Sequence, residues 1–142
     1  MYKLLIALSI LTVGCNNNPV SSHEIFDFEV TMKNYELSND DYYHIQLDDV
    51  NQTLEKLIVN TYRSDIQKIS WSASDTYELE INGIMYEVDL VNSASYTDNG
   101  IAYTMLGLYP DMVGDTISIS AFYIDYENGS QEYEDIIEII LE

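Results

Sequence analysis

The stretch TYELEINGIMYEVDLV, Thr76 to Val91, constrains this chain more than any other. Tyr77, Leu79 and Ile81 alternate with Thr76, Glu78 and Glu80; after Asn82-Gly83, Tyr86, Val88 and Leu90 alternate with Glu87 and Asp89. A period of two is the periodicity of a β-strand, whose successive side chains point to opposite faces. Asn-Gly accepts the positive φ values of a type I′ turn, so the spacing predicts a two-residue β-hairpin.

The same period recurs along the chain. In IFDFEVTM, Phe26, Phe28, Val30 and Met32 oppose Asp27, Glu29 and Thr31, which predicts a strand with one dry face. DTISISAFYID sets Ile117, Ile119, Ala121 and Tyr123 on one side, and NGS at Asn128 to Ser130 ends it. In YEDIIEIIL a helical spacing of Tyr133, Ile136, Ile137 and Ile140 competes with a strand, and the β-branched residues favour the strand. Further strands are expected at Tyr43 to Leu47, Leu54 to Tyr62, Ile66 to Ser72 and Ile101 to Leu106. No amphipathic helix longer than two turns, internal repeat or interior linker interrupts them. Seven to nine short strands separated by turn residues predict an all-β, antiparallel sandwich. The thirteen tyrosines suit it, because the ring packs on a pleated surface while the hydroxyl stays wet.

The chain starts MYKLLIALSILTVGC, with one cation at Lys3 and an apolar or small run from Leu4 to Gly14. A helix across a bilayer needs about 20 apolar residues, so this run is the length of a secretory signal. Thr12, Val13, Gly14 and Cys15 resemble the lipobox of bacterial lipoproteins, although Thr12 stands where that family usually has Leu and Leu11 is one residue further back. The resemblance implies that residues 1–14 are removed and that Cys15 carries a lipid, placing the protein in a bacterial cell envelope, facing periplasm or cell exterior. A lone cysteine forms no internal disulfide and is a liability as a free thiol in an oxidising compartment, which favours the lipid. Residues 15–23 read as a polar tether that buries no apolar area, and residues 24–142 as one domain.

The formal charge is -20, and loss of Lys3 leaves Lys33, Lys56, Arg63 and Lys68 as the cations. Such a surface repels phosphate backbones and anionic lipid, so nucleic-acid binding is set aside. Carboxylates are suitable ligands for Ca²⁺, yet no D-x-[DN]-x-[DN]-G loop occurs. Thr97 to Gly100 and Asp125 to Gly129 read as turns, and calcium stays an alternative, with no other cofactor expected.

Residues 66–141 resemble a fibronectin type III or related immunoglobulin-like module. The residues that carry the resemblance are Trp71 in ISWSAS, Tyr77 in TYELEING, Leu108 to Pro110, and Ile119-Ser120-Ala121. The resemblance implies that Trp71 and Tyr77 pack in the core. It also implies a corner tyrosine where this chain has Asp115, so that corner is absent or rebuilt, and it leaves Glu24 to Val50 for an added strand pair. The cysteine pair of antibody domains is missing.

Sites of chemistry are sparse. Trp71 alternates with Ile69 on a core strand, which favours packing over a sugar-stacking platform. His23 lies in the tether and His44 beside Tyr43, with no second His or Cys at ligand spacing for zinc and no G-x-S-x-G elbow for a nucleophile. Catalytic residues and binding residues are therefore unassigned. Two classes of function stay open. The first is a non-catalytic binding, adhesion or scaffold module, held to the membrane through Cys15, whose loops or sheet edge meet a protein or glycan. The second is a small carboxylate-based, glycosidase-like hydrolase, or a Ca-dependent carbohydrate-binding module; a hydrolase needs a cleft with two convergent carboxylates.

Overall fold

The computed structural model describes residues 28–125 and 131–142. Cys15, the signal, the tether, His23 and the Asn128 to Ser130 turn lie outside the described residues. Ten strands follow in order: β1 (Glu29–Met32), β2 (Tyr43–Ile45), β3 (Thr53–Asn60), β4 (Lys68–Ala73), β5 (Thr76–Ile81), β6 (Ile84–Asp89), β7 (Ala94–Tyr96), β8 (Ile101–Leu108), β9 (Thr116–Asp125) and β10 (Gln131–Leu141). One sheet is ordered β1-β3-β8 and the other β2-β10-β9-β4-β7, while β5 and β6 pair only with each other. Leu57, Val59, Ala102 and Leu106 from the first sheet share a buried cluster with Ile69, Trp71, Ile119 and Ile139 from the second. The fold is an immunoglobulin-like β-sandwich.

Alternation decides which residues enter that core. Along β8, Ala102, Thr104, Leu106 and Leu108 are buried while Ile101, Tyr103 and Met105 are exposed. In β10 the parity of Ile137, Ile139 and Leu141 points inward, as the strand reading requires. Thr104 Oγ1 is buried and has no hydrogen-bond partner among the described residues.

Four features depart from the sequence expectations. Among the described residues there are ten strands rather than seven to nine, because β7, only three residues long, pairs with β4 through Lys68↔Tyr96, Ile69↔Ser95 and Ser70↔Ala94. The sandwich is not wholly antiparallel: β2 runs parallel to β10 through Ile139↔Tyr43 to Leu141↔Ile45. The chain between β1 and β2 crosses from one sheet to the other. The strands described within Glu24 to Val50 are not an added pair, since β1 joins β3 in one sheet and β2 joins β10 in the other. Finally, Tyr77 leaves the core. It is half-buried at the base of the β5-β6 hairpin, its ring stacked on Tyr109 at 3.7 Å and its hydroxyl donating to Asp111 Oδ2 at 3.1 Å.

Other expectations hold. Asn82 and Gly83 have φ of 54° and 81°, as a type I′ turn requires. Trp71 is 3% exposed, and Ile119 and Ala121 are fully buried. Asp98 and Ile101 close the Thr97 to Gly100 turn with reciprocal backbone bonds of 2.8 and 3.0 Å. Just before Asp115, where a corner tyrosine was implied, the chain forms a 3₁₀ turn over Pro110–Met112. Gly114 N–H then donates to Leu141 O at 2.8 Å, and Leu141 N–H donates to Asp115 O at 3.0 Å.

Candidate functional site

The two sheets do not close evenly. β1 is an edge strand of its sheet, and β2 pairs β10 only at Ile139–Leu141. Among the described residues no strand pairs Asp135 to Glu138 on that side. A groove of ≈ 670 Å³ lies between these two edges. Val30, Tyr43 and Ile137 are buried residues among its lining, and Phe28, Leu37 and Ile136 add apolar surface. Glu29, Asp41, Asp135 and Glu138 bring four carboxylates to it.

The β1 wall is closed by side chains. Val30 N–H donates to Asp135 Oδ2 at 2.7 Å. Burial pushes the Tyr43 phenol pKa up, and the neighbouring Glu29 and Asp135 carboxylates add to it against an opposing effect of the Met32 backbone. Outward N–H groups of an edge strand template pairing with another chain, and capping them with side chains blocks that route. The β10 wall has no such cover from a neighbouring strand, so the groove is open to strand pairing on one side.

The four carboxylates are either hydrogen-bonded to protein groups or open to solvent. Asp135 holds the Val30 amide, Glu138 accepts both contacts of the Ser118 hydroxyl at 2.9 and 3.0 Å, and Glu29 accepts from Tyr62 at 3.3 Å. Glu29 and Asp41 are exposed to solvent.

The residues singled out in the sequence lie elsewhere. Trp71 is enclosed, and its Nε1–H donates to Ser95 Oγ at 2.7 Å, which removes it as a sugar platform. His44 stands on β2 with Nδ1 2.9 Å from Glu142 Oε1 and Nε2 3.1 Å from Asp40 Oδ2. A neutral imidazole donates only one hydrogen bond, so both contacts are satisfied together by the imidazolium. The hydrogen bond to Glu142, then that to Asp40, raise the His44 pKa. Among the described residues no group of three or more His, Cys, Asp or Glu side chains could hold a metal ion, and no helix is long and apolar enough to cross a membrane.

Sequence reasoning did not find the groove, since Val30 and Asp135 are 105 residues apart. One signal was available. Asp135 shares its parity with Ile137, Ile139 and Leu141, and an inward-pointing charge on an apolar strand marks a managed edge.

No family model and no curated protein matches the chain. A solved structure with a similar fold is the ASH / PapD-like domain of human CEP192, PapD-like domain 7. It shares 11% identity over 93% of this chain and 95% of that one, at a TM-score of 0.48.

Proposed function

We propose that this protein is a lipid-anchored component of a bacterial cell envelope whose sandwich is a non-catalytic binding module. Its groove takes an extended segment of a protein partner, which lies along β10 and presents a basic side chain to the carboxylates of the rim. The observation that carries this reading is the unpaired edge of β10 from Asp135 to Glu138 over the apolar lining of the groove. Backbone pairing at a sheet edge supplies affinity without sequence readout, and alternate side chains of the guest supply specificity. A chain of net charge -20 draws a basic segment toward this rim and repels an acidic one.

The anchor rests on the lipobox resemblance and on the position of Cys15 at the end of the apolar run. Residues 15–23 then serve as a leash between membrane and sandwich. Metabolic labelling with an alkyne fatty acid is expected to mark the wild-type chain and to leave Cys15→Ser unmarked; equal labelling overturns the anchor. For the groove, envelope polypeptides captured by the full wild-type chain are to be compared with those captured by Ile136→Lys. Ile136 is 52% exposed in the groove, so lysine there blocks the guest and repels its cation while the core is untouched. Loss of a basic polypeptide from the captured set supports the reading. An identical set, or capture of a glycan alone, overturns it.

A further inference from the structure

Two turns of this chain place a glycine directly after an asparagine at nearly the same backbone angles. Asn82 and Gly83 have φ of 54° and 81°, and Asn99 and Gly100 have φ of 50° and 81°. A third such pair, Asn128-Gly129, lies outside the described residues. Glycine has no Cβ to shield its amide nitrogen, so the side-chain carbonyl carbon of an asparagine before it is open to attack by that nitrogen.

The surroundings of the two turns differ. Asn82 and Gly83 are exposed at the tip of the β5-β6 hairpin, a Cβ at Gly83 would meet nothing within 4 Å, and the flanking Ile81 and Ile84 are 47% and 57% exposed. Among the described residues no group bonds the Asn82 side chain or the Gly83 N–H. β5 and β6 pair with no other strand, and a two-stranded ribbon is marginal in water. Its tip, at the end away from the bond of Tyr77 to Asp111, therefore opens at little cost. The second turn is held. Asn99 Nδ2 donates to Asp98 Oδ1 at 3.0 Å, Gly100 is buried, and Gly100 O accepts from both Thr61 N–H and Thr61 Oγ1 at 2.9 Å. A Cβ at Gly100 would lie 2.5 Å from Arg63 O, so this peptide has no room to turn.

We propose that Asn82 is a self-modification site, converted to isoaspartate and aspartate through the amide of Gly83, and that the fold protects Asn99 from the same reaction. Hydroxide takes the proton of Gly83 N, which attacks Asn82 Cγ and forms a new C–N bond. The side-chain nitrogen leaves as ammonia with a proton from water, which restores the hydroxide. A further water opens the resulting succinimide, at the main-chain carbonyl to give isoaspartate or at Cγ to give aspartate. The balance is one water in and one ammonia out, with nothing oxidised or reduced. Ring closure requires the Asn-Gly peptide to rotate out of its turn, which the open tip at Asn82 permits and the pinned Gly100 carbonyl does not. Isoaspartate carries the chain through the side chain and adds one methylene to the backbone. The two-residue connection then no longer fits the pairing of Ile81 with Ile84. Each event also adds one negative charge to a chain of -20. The site shares no residue with the β1-β10 groove, so either reading can fail without the other.

The test ages the full wild-type chain at mildly alkaline pH, folded and in denaturant, and follows Asn82, Asn99 and Asn128 in separate peptides by mass spectrometry. Labelling by an isoaspartyl methyltransferase identifies isoaspartate, and unchanged Trp71 emission checks that the native sample stays folded. In the folded chain Asn82 is expected to convert at least about tenfold faster than Asn99, because the tip opens far more often than the packed turn. In denaturant the two rates are expected to converge, since both asparagines precede glycine. Equal rates in the folded chain, faster conversion at Asn99, or an Asn82 that stays intact while the denatured chain converts each overturns the inference. So does a difference between the two that persists in denaturant.

Discussion

The indole of Trp71 is held from two directions, by the sandwich core around it and by its hydrogen bond to Ser95. Truncation to alanine removes a large buried volume and strands the Ser95 hydroxyl, at a cost of roughly 3 to 5 kcal/mol. As the single tryptophan it reports on its own burial. Native emission is expected to be blue-shifted and poorly quenched by acrylamide, then to move red on unfolding; red, freely quenched emission from the folded chain would contradict core placement. Thr104 is the opposite case. Its hydroxyl is buried against Leu57 of the neighbouring strand without a partner among the described residues, so desolvation is uncompensated. Thr104→Val keeps the shape and removes the hydroxyl, and is expected to raise stability by about 1 kcal/mol in chemical denaturation. A destabilised variant would show that the hydroxyl is satisfied in solution.

At the scale of elements, two turns that share a backbone conformation respond differently to the same change. Gly83 and Gly100 both have φ of 81°. A Cβ at Gly83 meets nothing within 4 Å, whereas one at Gly100 would lie 2.5 Å from Arg63 O and 2.9 Å from Thr61 Oγ1. Gly83→Ala is expected to cost about 1 kcal/mol, the backbone penalty alone, while Gly100→Ala costs clearly more because the Asn60-Arg63 segment must move. Equal melting temperatures for the two variants would argue against that close approach. β2 is an edge strand tied to the chain end by Leu47 N–H to Glu142 O at 2.8 Å and by His44. Because folding raises the His44 pKa, its contribution is complete below the ordinary imidazole value and is lost as pH rises through the raised folded value. The unfolding midpoint is therefore expected to fall across neutral pH in the wild type more than in His44→Gln; parallel profiles would remove His44 as the clamp.

Nine of the ten strands could be placed by alternation, because one face of each had to be dry or the turn between them was explicit. β7 could not, since three residues carry no period and its place is set by backbone pairing to β4. Nor could the direction of β2, because alternation along a strand says nothing about which neighbour it pairs with or in which sense. The hairpin turn was legible in Asn82-Gly83, but not the fact that its apolar row faces out, because alternation defines a face without naming what covers it. The candidate site was the least legible part. Its walls come from opposite ends of the chain, and the pattern showed only that Asp135 stands at an inward position.

For the whole molecule, the acidic surface and the asymmetric closure of the sandwich combine. Asp135 caps the Val30 amide on the β1 edge, and among the described residues no strand pairs Asp135 to Glu138 of β10, which leaves a groove under carboxylates between the two. The most direct test is amide hydrogen exchange of the full chain with alternating Lys-Val and alternating Glu-Val octapeptides. The Lys-Val peptide is expected to slow exchange in Asp135 to Glu138, with the protection lost in Ile136→Lys and absent with Glu-Val. Protection spread evenly over the acidic surface, or none at β10, would contradict a binding groove between β1 and β10.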